Sequence, residues 1–265
     1  MNDFVHKSLV ERAIKAAEVD TRNNKLEKSF PKPRTITEVA LERQQEKVLE
    51  SHAPSTGYPD LDRLIKGFIP GHLYTLTGNT NVGKTALATN FADRVRRQRR
   101  KVLYFALEPE NTVVDYLASV RLDKQFGELT QEDISYDDGM IHIYGKAEVS
   151  KITDLVTIVR DLPNPYDLII IDHIGYYIQS QTNWIQEQSN TLKILVGLDK
   201  EKSTAIMIIA HLRKKASNQK MDYIPTSDDI SGSGAFKQDS TEVMIVVREI
   251  DESDPDAIQY VESGK

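Results

Sequence analysis

Gly78-Asn79-Thr80-Asn81-Val82-Gly83-Lys84-Thr85 is the stretch whose reading decides the fold. Its spacing, G-x-x-x-x-G-K-T, is that of a phosphate-binding P-loop, and the flanks agree with it. His72 to Thr77 is apolar and β-branched, as a buried strand should be. Ala86 to Arg100 is rich in Ala, Leu and Arg and lacks Gly and Pro, so a helix is expected. Strand, Gly-rich turn and helix aim backbone N–H groups and a helix N-terminus at phosphate oxygens. The glycines let the backbone bend around an anion, Lys84 supplies a point charge and the Thr85 hydroxyl can ligate Mg²⁺. The expected ligand is a nucleoside triphosphate with Mg²⁺. Its cradle is Gly78, Asn79, Thr80, Asn81, Val82, Gly83, Lys84 and Thr85.

Outward from this stretch, apolar runs alternate with helical ones. Lys101 to Leu107 reads as a second buried strand, Leu168 to Ile171 as a third, Thr204 to Ala210 as a fourth and Glu242 to Arg248 as a fifth. Ile141 to Tyr144 is a further candidate, and Ala257 to Val261 a candidate final strand. Helices are expected over Val113–Leu122, Lys151–Leu162 and Gln186–Lys202. Such alternation predicts an α/β fold, a mostly parallel sheet covered by helices on both faces. Residues 1–54 differ from the rest. Asp3 to Glu18 and Ile36 to Glu50 are charged, helix-favouring segments joined by a polar stretch ending in Pro31-Lys32-Pro33. For residues 1–34 a disordered, solvated tail is the alternative reading. The second carries Ile36, Val39, Ala40, Leu41, Val48 and Leu49, an expected narrow apolar stripe for docking on a neighbour. The expected division is a helical extension over 1–54 and an ATPase domain over 55–265.

Composition narrows the setting. The chain has 265 residues, and its zero cysteines exclude disulfides, thiolate zinc sites and cysteine nucleophiles. No apolar run is long enough to span a membrane, and the charged N-terminus has no signal-like core, so a cytoplasmic protein is expected. The net charge of −6 means that any nucleic-acid contact must come from local basic patches.

In open α/β sheets, ligands sit beyond the carboxyl ends of the strands. The residues that follow the buried strands are Gly78, Glu108, Asp172 and His211: a phosphate cradle, two carboxylates and an imidazole. Asp172, after a run of aliphatics, can hold Mg²⁺ directly or through water. Glu108 can orient and deprotonate a water attacking the γ-phosphate. His211 can contact that phosphate and report it to the loop that follows. Arg213, Lys214, Lys215 and Lys220 make a basic, polar stretch suited to tracking a single strand's phosphates, although a solvated loop would read the same way. The run Arg94 to Lys101 is instead expected at the end of the P-loop helix, where cations suit the dipole.

Together these residues carry a resemblance. Gly57-Tyr58-Pro59-Asp60-Leu61-Asp62, Gly71, the P-loop, Phe105-Ala106-Leu107-Glu108, Ile170-Ile171-Asp172-His173, Ala210-His211-Leu212-Arg213 and Asp229 to Ala235 stand in the order found in RecA-core, ring-forming replicative helicases. Over about residues 55 to 250 the chain resembles the ATPase domain of the DnaB-type and phage primase-helicase family. The resemblance implies a RecA-like P-loop fold, Glu108 as catalytic base, His211 as phosphate sensor and Gln238 near the nucleotide. It also implies DNA-contacting loops at Ile174–Gln188 and Arg213–Gly234. By the same resemblance the function is ATP-driven DNA unwinding by a head-to-tail ring, a hexamer on single-stranded DNA, with a primase or loader as partner and a linker helix crossing between subunits. The chain departs from the family in carrying Ser231 where an Arg stands two residues before the Ser-Gly, and its last expected strand ends at Ser263-Gly264-Lys265, about where the family continues into the segment bearing its arginine finger. A RecA/RadA- or KaiC-like ATPase, and a non-unwinding paralogue or loader, share the P-loop and stay open.

Overall fold

Parallel strands buried on both faces read as unbroken apolar runs, and the runs of this chain do form strands. The computed structural model describes residues 33–107, 110–122, 124, 128, 130, 139–163, 165–178, 180, 182–212, 225–230, 233–247 and 261–263. The chain divides into two units, residues 1–45 and 46–265, so the larger one begins ahead of the expected boundary at residue 54. Residues 50–54 are held within it: Lys66 pairs with Glu50 at 2.9 Å, Arg100 donates to the His52 carbonyl and Phe68 N–H to the Pro54 carbonyl.

Helix α1, Ile36–His52, buries none of its residues. The expected single stripe is not what helical geometry gives. At 3.6 residues per turn, Ile36, Val39 and Ala40 make one short patch, and Leu41 and Val48 another well round the helix. Thr35 caps α1 with Glu38 reaching back to its N–H at 2.6 Å, a capping box.

After α2, Pro59–Ile65, the sheet is built from β1 (Leu73–Gly78), β2 (Val102–Ala106), β3 (Ile141–Gly145), β4 (Leu168–Asp172), β5 (Ala205–His211), β6 (Glu242–Val246) and β7 (Val261–Ser263). The order across it is β3-β2-β4-β5-β1-β6-β7. The first six run parallel, and β7 is antiparallel to β6. The final strand thus lies at 261–263, whereas most of the expected Ala257–Val261 run falls outside the described residues.

Strand residues alternate between two cores. Tyr74, Leu76, Tyr104, Ile170, Met207, Ile209 and Met244 pack against α2, α3 (Lys84–Arg97) and α4 (Glu110–Leu122). Leu73, Phe105, Ile171, Ile208 and Ile245 pack against α5 (Ile152–Asp161), α6 (Trp184–Lys202) and α7 (Ser233–Asp239). This period of two decides which strand-end side chains share a face.

One buried group works against the fold. Asp199 of α6 is 1% exposed and its Oδ1 finds no partner among the described residues. Burial pushes its carboxyl up to about 7. The folded state therefore resists an ionisation that the unfolded chain undergoes near pH 4. Stability on this account is whole below about pH 4 and lost as pH rises to about 7. Asp199→Asn is expected to raise Tm by about 3 °C at pH 8 and by much less at pH 4.5. Thermal scans at both pH values test it, and a gain equal at both would refute the assignment.

Candidate nucleotide-binding site

β1 ends at Gly78, which pairs with His211 of β5 on one side and Val246 of β6 on the other. A Cβ on Gly78 would lie 2.6 Å from the Val246 carbonyl oxygen and 2.8 Å from Val82 Cγ1. This glycine is thus required by the close approach of β6 and of the loop's own Val82. The second P-loop glycine has a different reason: Gly83 sits at φ 97°, with open space where a Cβ would point.

Gly83 is also the N-cap of α3 and offers no side-chain acceptor, and the first turn of α3 carries no acidic residue. The positive end of a 14-residue helix is therefore left uncapped by the chain itself, the arrangement that takes an anion. Lys84 is 6% exposed, and its Nζ donates to the carbonyls of Gly78 at 3.2 Å and Asn79 at 2.8 Å. The ammonium thus lies folded along the loop that it would share with a phosphate. Asn79, Thr80 and Asn81 are exposed, Asn81 in the left-handed region at φ 62°, while Val82 is buried in the core and Thr85 is half-buried in the first turn of α3.

By strand alternation Gly78, Asp172 and His211 all belong to the sheet face that α3 covers. Asp172, 1% exposed, ends β4 with its Oδ2 accepting from the Tyr104 hydroxyl at 3.0 Å. Its carbonyl accepts from the Leu107 N–H at 2.7 Å. Half-buried His211 ends β5 beside Gly78, and its ring stands 4.5 Å, centroid to centroid, from that of His173. The His173 Nδ1 accepts from the Gly175 N–H at 3.0 Å, and a side chain at Gly175 would strike that ring. The Asp172–His173 peptide is cis.

The structure therefore brings together the P-loop, Asp172 and His211. Glu108 directly follows Leu107 but lies outside the described residues, as do Arg213, Lys214, Lys215 and Lys220. Gln238 is not brought to the P-loop: it is exposed on α7, which packs through Phe236 on the opposite sheet face from α3. Tyr104 and the ring contact of His173 are additions that sequence reasoning missed. Both depend on strand register, which no local pattern displays. The basic run behaves as expected, with Arg96 and Arg97 ion-paired to buried Asp93, Arg94 donating to the Gly57 carbonyl and Arg100 paired with Asp167.

Among the described residues no group of three or more His, Asp or Glu could hold a metal. The donors present, the Thr85 hydroxyl and the Asp172 carboxylate, are hard oxygens of the kind Mg²⁺ takes alongside substrate phosphates. An ATP-bound Mg²⁺ thus fits this donor set.

A profile of the DnaB-like helicase C terminal domain family matches residues 54–262. Replicative DNA helicase DnaB of Mycoplasma genitalium is 27% identical over 221 residues, 75% of this chain and 47% of the relative. That of Geobacillus stearothermophilus is 27% identical over 214 residues, 73% of this chain and 47% of the relative. The chain thus spans about half the length of the curated relatives it matches. Two solved structures share its fold. One, described as the structure of a DnaB-like replicative helicase and its interactions with primase, superposes with a TM-score of 0.68 at 16% identity, covering 97% of this chain and 69% of that one. The other, described as an ATPase domain, gives 0.65 at 18% identity over 88% of this chain and 94% of that one.

Proposed function

Since the chain belongs to the DnaB-like helicase C terminal domain family, we propose that it is the ATP-hydrolysing motor of a DNA helicase, acting on single-stranded DNA as a head-to-tail ring. The observation that carries this is the register at β1. Gly78 of the P-loop stands beside His211, with buried Asp172 ending β4 on the same face. Phosphoryl transfer asks a protein mainly to position groups and stabilise charge, and these groups supply both.

In this reading the uncapped N-terminus of α3 and Lys84 would hold the β- and γ-phosphates, and Thr85 and Asp172 would hold Mg²⁺. The Mg²⁺ would neutralise charge developing on the phosphates. Glu108, next in the chain to Leu107, deprotonates the attacking water. His211 senses the γ-phosphate and precedes in sequence the basic stretch Arg213, Lys214, Lys215 and Lys220. Gln238 has no part in this site within one chain. The exposed patches of α1, with Ile36 90%, Leu41 55% and Val48 59% exposed, suit contact with a neighbouring copy. A primase or loader partner and a cytoplasmic setting are proposed on the family's account alone.

The test follows ATP turnover with and without single-stranded DNA, with mass photometry of the assembly in ATP-Mg²⁺. Stimulation by DNA and a ring mass are expected. A monomer whose turnover ignores DNA would overturn the motor reading. Arg213, Lys214 and Lys215 changed together to Ala are expected to weaken single-strand binding and flatten its salt slope by about 2, at about 0.7 per lost phosphate contact. An unaltered slope would return the loop to a solvated role.

A further inference from the structure

We propose that Tyr104 is a positioning residue for the Asp172 carboxylate, fixing the face that this group presents to a divalent cation bound with the nucleotide. The inference rests on the reading of Asp172 given above. Tyr104 lies in β2 and is wholly buried. Its register partner on β4 is Ile170, so Asp172 is the diagonal neighbour two residues further on the same face. That spacing is within reach of a long aromatic side chain. The hydroxyl uses it, donating to Asp172 Oδ2 at 3.0 Å.

The surroundings say why the hydroxyl matters. Val102 of the same strand and Ile170 of the neighbouring β4 share this face with the ring in one apolar core. Phe would fill the same space without burying a polar atom, which costs free energy unless that atom is bonded. The carboxylate's terminal torsion is broad and roughly two-fold, so backbone geometry alone does not fix it. The chain at β2 holds Asp172 at two points, the backbone at one and the carboxylate at the other, and only the second bears on that torsion. The Leu107 N–H holds the Asp172 carbonyl at 2.7 Å, and the Tyr104 hydroxyl holds the carboxylate. Outer groups of this kind orient the ligands of a cation, and their loss typically weakens its binding by about tenfold to a hundredfold.

The experiment titrates Mg²⁺ into full-length protein with a fluorescent ATP analogue, and repeats nucleotide binding in EDTA as a cation-free reference. Tyr104→Phe is expected to raise the Mg²⁺ concentration for half-maximal effect by about tenfold. Cation-free nucleotide affinity should stay within about twofold and Tm within about 3 °C. A merely structural tyrosine would lower Tm and cation-free affinity and leave the Mg²⁺ midpoint alone, which overturns the proposal. Asp172→Asn is run beside it and should remove the Mg²⁺ response altogether. If Asp172→Asn removes the response and Tyr104→Phe leaves the midpoint unchanged, the tyrosine has no positioning role while the Asp172 reading stands. If both variants titrate as wild type, the reading of Asp172 fails and the inference fails with it.

Discussion

Lys84→Ala is expected to lower ATP affinity by about a hundredfold or more while the domain stays folded. The lysine is 6% exposed, yet its ammonium is held by two P-loop carbonyls, Gly78 and Asn79, rather than by packing. A charge-assisted hydrogen bond contributes about 1.5–3 kcal/mol, and Lys84 is placed to give at least one to the phosphates. About 3 kcal/mol corresponds to roughly a hundredfold in affinity. Of the two carbonyls that lose a donor in the variant, that of Asn79 belongs to an exposed residue where water can replace it, and that of Gly78 is buried, so a modest loss of Tm accompanies the variant. Calorimetric titration with ATP measures the affinity, and thermal unfolding checks the fold. Lys84→Arg keeps the charge on a bulkier head and should recover only part of the binding. Equal affinity for wild type and Lys84→Ala would remove the phosphate from this loop and the motor reading with it.

How much of this was legible beforehand follows from where the information lies. The P-loop could be read because a glycine at positive φ and a lysine at fixed spacing are local requirements. The strand ends could be read because strands buried on both faces leave continuous apolar runs, so the first polar residue after each marks the rim. Asp172 and His211 were found in that way, and the structure sets both on one face. The Tyr104–Asp172 bond was hidden because it depends on β2 lying beside β4 in one register, a pairing of residues 68 apart in sequence. The His173–His211 contact was hidden for the same reason. Gln238 was drawn toward the nucleotide by resemblance, and Phe236 explains its absence there: a fully buried ring two residues earlier anchors α7 to the far face. On α1 the apolar residues lie close in sequence but far apart in angle around the helix, so their number alone does not make a stripe.

Glu108→Gln is expected to leave ATP binding intact and to slow hydrolysis by about a thousandfold. Chain position supports the site. β2 delivers Leu107 to the Asp172 carbonyl at 2.7 Å, and Glu108 is the next residue in sequence. Carboxylate chemistry supports the role. An ionised Glu only accepts hydrogen bonds, and so can take a proton from water, whereas the amide of Gln keeps the shape and loses the basicity. General-base catalysis contributes about 10²–10⁴ in rate, which sets the size of the loss. Because Lys84 and the N-terminus of α3 are untouched, the variant should bind ATP as wild type does. That separates it from Lys84→Ala, where turnover falls because nothing is bound. Single-turnover measurements with enzyme in excess resolve the two, since they report hydrolysis of ATP already on the protein. If Glu108→Gln hydrolyses bound ATP at the wild-type rate, the base lies elsewhere on the rim. His211, beside Gly78 on the P-loop face, would then be the next group to substitute.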